Sequence, residues 1–177
     1  MKNEKQIMNA EQMQKTLERL AYEVLERISD FSKLALIGIQ RRGVDLAERI
    51  KKILEQKTKK QLDLGKLDIN LYRDDWTNLA STPSINKTDI PFDLGEKDIV
   101  LVDDVLFTGR TVRAALEAIL DFGRPKTIKL LVLIDRGHRE LPIHADFVGK
   151  KLNTSRRELV HVLTKEHDGE DMVVLEG

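Results

Sequence analysis

Cysteine is absent from the 177 residues. Disulfides, thiolate metal sites and a cysteine nucleophile are excluded with it. An excess of one charge is missing too: 30 Lys and Arg face 30 Asp and Glu. That balance gives no global pull toward nucleic acid or an anionic membrane, and leaves room only for a local basic patch. No apolar run approaches a membrane span, and the start, Met1-Lys2-Asn3-Glu4-Lys5-Gln6, has no apolar signal core. A cytoplasmic chain with no membrane partner is expected. The Gly-x-x-x-x-Gly-Lys-Ser/Thr and Gly-x-Gly-x-x-Gly phosphate loops are both missing. The four histidines, His138, His144, His161 and His167, are scattered, so neither a histidine metal cluster nor a Ser-His-Asp arrangement is indicated.

What is present suits one domain over 1–177 with a sizeable core. Residues 10–29 have helical periodicity, with Met13, Leu17, Leu20, Ala21, Val24, Leu25 and Ile28 on one face. Asn9 and Gln12 stand at capping-box spacing before it. The apolar run 34–39 predicts a buried strand, and a second helix starts near Gly43, burying Val44, Ala47, Ile50 and Leu54. Gln56 to Gly65 is polar and lysine-rich and predicts a surface connection. A strand is expected at 67–73, and a flexible loop over about 74–92, which holds Pro83 and Pro91. The central strand is placed at 98–102 and its helix at about 110–122, stopped by Gly123. Further strands are expected at 127–134, 146–149, 158–163 and 171–175. Strands alternating with helices predict an α/β fold with a mostly parallel central sheet.

The run Ile99-Val100-Leu101-Val102-Asp103-Asp104-Val105-Leu106-Phe107-Thr108-Gly109-Arg110-Thr111 carries the chemistry. Ligands of parallel α/β sheets sit at the carboxyl ends of the strands. Two adjacent carboxylates there can accept hydrogen bonds from neighbouring sugar hydroxyls. Thr108-Gly109-Arg110-Thr111 then enters a helix, whose free N–H groups and dipole favour a phosphate. A phosphorylated sugar with free hydroxyls needs both features. Gly38-Ile39-Gln40-Arg41-Arg42-Gly43 joins another strand to a helix and adds the fixed charge of Arg41 and Arg42, suited to pyrophosphate. Tyr72-Arg73-Asp74-Asp75-Trp76 opens the 74–92 loop, and Arg73 is placed to meet the same group. Arg136 follows the 127–134 strand, in Asp135-Arg136-Gly137-His138-Arg139-Glu140-Leu141-Pro142-Ile143.

The thirteen-residue run resembles the phosphoribosyl pyrophosphate signature of type I phosphoribosyltransferases. Together with Tyr72–Trp76, Thr88–Gly123 and Leu133–Lys150, the chain resembles the PyrR family of bifunctional pyrimidine operon regulators and uracil phosphoribosyltransferases. The resemblance implies the type I phosphoribosyltransferase fold, with a small hood from the N- and C-terminal parts. It implies a reaction of uracil with phosphoribosyl pyrophosphate to give UMP and pyrophosphate, with Mg²⁺ held mainly by the substrate. Asp103 and Asp104 would contact the ribose hydroxyls, and residues 105–111 would wrap the 5′-phosphate. Arg41, Arg42 and Arg73 would face pyrophosphate, and Arg136 and Val160 the uracil side. Asp103, Asp104 and Arg73 are the catalytic candidates.

The resemblance further implies contact with a pyrimidine-operon mRNA leader, through Arg19, His138, Arg139 and Lys150, and a homo-oligomer. The chain departs from the family pattern at Glu18 and Tyr22 (threonine and histidine expected), His144 (arginine), Asn153 (proline) and Arg41 (threonine). Two alternatives stay open at this point: an RNA-binding attenuator with weak transferase activity, and a purine phosphoribosyltransferase.

Overall fold

The computed structural model describes residues 4–74 and 87–177. Asp75, Trp76 and most of the expected 74–92 loop lie outside them. Five parallel strands make the main sheet: β2 (Leu34–Ile39), β3 (Asp63–Leu67), β4 (Asp98–Leu106), β5 (Thr127–Asp135) and β6 (Phe147–Lys151), in the order β3-β2-β4-β5-β6. Residue alternation sorts their side chains to two faces. Leu34, Leu36, Val100, Val102, Leu131 and Leu133 join one apolar cluster with the helices α1 (Ala10–Arg27) and α2 (Arg42–Thr58). Ala35, Ile37, Ile99, Leu101, Leu130 and Val132 join the other with α3 (Arg110–Phe122). A sheet buried on both faces needs strands that are apolar throughout, and β2 is buried at all six positions.

The three long helices form where the sequence signals them. Asn9 accepts a hydrogen bond from the Gln12 N–H and donates its own N–H to the Gln12 side chain, both at 2.9 Å, so the capping box is complete. Met13, Leu17, Leu20, Ala21 and Val24 form the buried stripe of α1. α2 ends at Lys59 in a left-handed conformation, and α3 ends at Gly123. A second, antiparallel sheet, β1-β8-β7, uses β1 (Glu4–Met8), β7 (Leu159–Leu163) and β8 (Met172–Glu176), with the single-turn helix α4 (Lys165–Asp168) between β7 and β8. Its Met8, Val162 and Val173 reach the α1–α2 cluster. Among the described residues, no helix is long and apolar enough to cross a membrane.

Several boundaries differ from the sequence expectation. The strand expected at 67–73 lies at 63–67 and begins inside the stretch taken for a polar connection, while α2 runs on to Thr58. β3 is an edge strand, and edge strands carry charge that masks their pattern. The alternating Leu67, Ile69 and Leu71 belong instead to the strand end and a 3₁₀ turn at Asn70–Tyr72, and Leu71 is 69% exposed. β4 does not stop at Val102. Its ladder to β5 continues through Asp103↔Val132 to Leu106↔Asp135. β1 and α4 had no counterpart in the expected elements. Residues 88–92 are packed rather than loose: Asp89 bridges to Lys66, and Ile90 and Phe92 lie against the α3-side cluster.

Candidate active site

A cavity of about 420 Å³ opens where β3, β2 and β4 present their carboxyl ends. Strand pairing explains why it lies there. The β2–β4 ladder ends at Gly38↔Val102, and β2 then turns away through Gln40 and Arg41 into α2. β4 runs on without that neighbour, so Asp103 and Asp104 border open space on that side. Gly43 lets α2 begin close by, since a Cβ there would stand 2.6 Å from the Val102 carbonyl. The Gln40–Arg41 peptide is cis.

The structure gathers Arg41, Arg42, Arg73, Asp103, Asp104, Val105 and Thr111 around this one cavity. Asp103 accepts from the Asp104 N–H at 2.9 Å, and Asp104 from the Val105 N–H at 2.7 Å. Burial, with the Asp104 charge beside it, raises the Asp103 pKa well above the carboxylate range. Burial also raises Asp104, while hydrogen bonds and the charge of Arg42 oppose that rise. Arg42 is held by Asp168 of α4 through Nε at 3.1 Å and Nη2 at 2.8 Å. That bond raises the Arg42 pKa and lowers that of Asp168.

Val105, Leu106, Phe107, Thr108, Gly109 and Thr111 line an adjoining recess of about 90 Å³ at the N-terminus of α3. Gly109 has φ 92°, which favours glycine, and packs against Ile143. The Thr108 carbonyl accepts from the N–H groups of Glu140 and Leu141, so the 136–143 segment braces this turn. Arg110 bridges Glu140 at 2.7 Å and Asp74 at 2.6 Å.

A family model, the phosphoribosyl transferase domain, matches residues 3–165. The chain belongs to the phosphoribosyl transferase family. Curated relatives narrow the membership: it is 57% identical over 97% of its length, and 94% of the relative's, to the bifunctional protein PyrR of Caldicellulosiruptor bescii. It is 54% identical to that of Thermus thermophilus over 96% of the chain and 94% of the relative. It is thus a member of the PyrR family, as the motifs implied. Solved structures agree on the fold. A hypoxanthine phosphoribosyltransferase of Trypanosoma cruzi superposes with a TM-score of 0.70 at 15% identity, over 97% of this chain and 95% of that one. One of Staphylococcus aureus gives 0.70 at 18% identity, over 96% and 90%. The type I phosphoribosyltransferase fold is therefore present.

Other expected residues of this phosphoribosyl transferase lie away from the main cavity. Arg136 is 4% exposed, with its guanidinium 3.9 Å above the centre of the Phe107 ring. One of its N–H groups donates to the Ser155 carbonyl, Nε has no partner, and burial lowers its pKa. Val160 is half-buried on β7. Arg19 of α1 donates to the Gly149 carbonyl of β6, and Lys150 of β6 to the Ile7 carbonyl of β1. His138 bonds the Thr154 carbonyl, and Arg139 spans Asp135, Phe107 and Ile143 within the brace. Gln40, from the turn singled out in the sequence, also lines the cavity, as do Asp68 and Asn70, which the sequence reading missed. An acid just past the end of β3 is the signal that placing the strand at 67–73 concealed.

Proposed function

We propose that the protein transfers the phosphoribosyl group of phosphoribosyl pyrophosphate to uracil, releasing pyrophosphate and forming UMP. One observation carries the reading: a buried acidic pair shares a cavity with an arginine-bearing turn and adjoins a glycine-containing turn at a helix N-terminus. Membership in the PyrR family supports uracil as the acceptor. The C1–oxygen bond to pyrophosphate breaks, the C1–N1 bond to uracil forms, and N1 gives up its proton. Asp103 and Asp104 accept hydrogen bonds from the ribose hydroxyls and stabilise the cationic sugar of the transition state. Free N–H groups before and within the first turn of α3, with the Thr108 and Thr111 hydroxyls, hold the 5′-phosphate. Arg41, Arg42 and Arg73 neutralise the departing pyrophosphate. Arg136 and Val160 border the base, and the β1-β8-β7 sheet serves as the hood.

Mg²⁺ supplies further charge against the leaving group. Carboxylate oxygens line the cavity, yet among the described residues no three acidic or histidine side chains form a metal site. That donor set fits an ion held chiefly by substrate phosphates and water.

Regulation of pyrimidine genes through RNA is the second activity. Lys15 and Lys150 share a surface recess of about 260 Å³ where β1, α1 and β6 meet, and the exposed Arg19 bonds the carbonyl of Gly149 in that recess. Contacts to RNA phosphates there would weaken as salt rises.

Pyrophosphate release, measured with Mg²⁺, phosphoribosyl pyrophosphate and one base at a time, tests the assignment. Release with uracil and not with hypoxanthine, guanine or orotate is expected. Release with a purine alone would overturn the acceptor and keep the sugar site. Salt-dependent binding of a pyrimidine-operon leader RNA, weakened in Arg19→Gln, is expected for the regulator. Binding of equal strength to unrelated RNA would overturn that part.

A further inference from the structure

Asp68 is a buried acid without an assigned purpose. It follows β3 directly, is 8% exposed, and lines the cavity with Arg41, Arg73 and Asp104. Its Oδ1 accepts the Asn70 N–H at 2.9 Å and so shapes the turn that leads to Arg73. Its own N–H donates to the Thr88 hydroxyl at 3.0 Å. Its Oδ2 is buried and has no hydrogen-bond partner.

An unpaired carboxylate oxygen in a protein interior is costly, and a buried polar group left unmatched requires an explanation. The fold does not supply one. The turn at Asn70 needs a single acceptor, which the amide oxygen of asparagine would provide without a charge. The second oxygen is therefore surplus to the architecture.

Position suggests its use. The turn holding Arg41 and Arg42 follows β2, and β2 is the neighbour of β3, so Asp68 stands on the pyrophosphate side of the cavity. A carboxylate beside a polyanion is repelled unless a cation lies between them. Since no group of three acids among the described residues can hold a metal alone, an ion there must share its ligands with the phosphates. Hydrated Mg²⁺ presents water hydrogens, which an unpaired carboxylate oxygen accepts well.

We propose that Asp68 is a positioning residue for the Mg²⁺ that accompanies pyrophosphate, its free Oδ2 accepting a hydrogen bond from metal-bound water. This rests on the phosphoribosyltransferase reading above. It makes Asp68 a selector of the metal-bound form of the substrate, because the same carboxylate disfavours the bare polyanion.

Calorimetric titration of the full chain with inorganic pyrophosphate, with and without Mg²⁺, tests it. Wild type should bind much more tightly with the metal. Asp68→Asn, which keeps the acceptor for Asn70, should lose about tenfold or more of that tightening and bind metal-free pyrophosphate as well as wild type or better. Equal metal dependence in the two proteins would overturn the proposal and leave the function intact. A wild type that binds pyrophosphate under neither condition would overturn the reading beneath it as well. A measurement on wild type alone covers poor folding of the variant. Mn²⁺ added with pyrophosphate should broaden the amide resonances of Asp68, Ile69 and Asn70, and their persistence would reject the assignment.

Discussion

Asp103 shows most plainly what the site demands of single residues. Its carboxyl is buried beside a second carboxyl, and its pKa is raised above the unfolded value of 3.8. The folded protein therefore holds that proton more tightly than the unfolded chain. Stability from this group is complete below about pH 4 and is lost as pH rises through the raised folded pKa. Asp103→Asn keeps an acceptor for the Asp104 N–H and removes the charge. We expect it to melt about 2–4 °C higher than wild type at pH 7.5, the shift that about 1 kcal/mol produces in a domain of this size. The gain should shrink as pH falls toward 4, and pyrophosphate release should drop at least about a hundredfold. Calorimetric melting across pH, beside turnover, checks both. A variant less stable than wild type at pH 7.5 would contradict the argument. Asp168 works in the opposite direction: Arg42 lowers its pKa, so its contribution is present above the unfolded pKa of 3.8 and fades as pH falls through the lower folded value.

At the scale of elements, close approach matters more than charge. The start of α2 lies against β4 because Gly43 has no side chain, and a methyl there would meet the Val102 carbonyl at 2.6 Å. Gly43→Ala should cost about 1–3 kcal/mol, since neither backbone can yield cheaply. Its activity should fall further than its stability, because any retreat of α2 carries Arg41 and Arg42 away from Asp103. Comparing turnover well below the melting point with the melting shift separates the two effects. The elements differ in how readable they were. α1, β2, β5 and α3 have long apolar periods and clear stops, so their sequence patterns match their packing; α2 has the period but no stop signal at Lys59. The thirteen-residue run was legible as a candidate site because strand, acids and glycine-bearing turn follow one another in the chain. β3 was not, because an edge strand with Asp63, Gly65 and Lys66 has little alternation to detect. That error hid Asp68. β1 was unreadable for another reason: its pattern makes sense only against β8, a partner at the far end of the sequence.

Taken whole, the molecule is a parallel sheet to which a smaller antiparallel one is fastened by shared apolar contacts and by ions. Arg49 of α2 donates to Glu166 at 3.0 Å and to Asp171 at 3.0 and 2.7 Å. Nearby, Asp45 accepts from the Thr164 hydroxyl at 2.7 Å and bonds His167 at 2.6 Å. Arg49→Ala leaves two acids without their cation, at a cost of about 1–3 kcal/mol for pairs that are partly buried. The loss should be local. Hydrogen exchange at β7 and β8 should speed up while the β4 and β5 amides keep their protection. Uniform acceleration across both sheets would show instead that they unfold as one unit.

The pairing of β1 with β8 also has a consequence for how the chain is made. β1 leaves the ribosome before every strand of the main sheet, and its partner leaves after all of them. At about 5–20 residues per second, the wait is on the order of ten seconds. Throughout that time the strand edge of β1 is unsatisfied, while β2, β4 and β5 can already pair with one another. The Asp168 grip on Arg42 waits for α4, and the smaller sheet is completed only when synthesis has reached β8. A nascent chain stalled before α4 would carry its acidic pair and glycine-bearing turn in place, but with Arg42 still untethered.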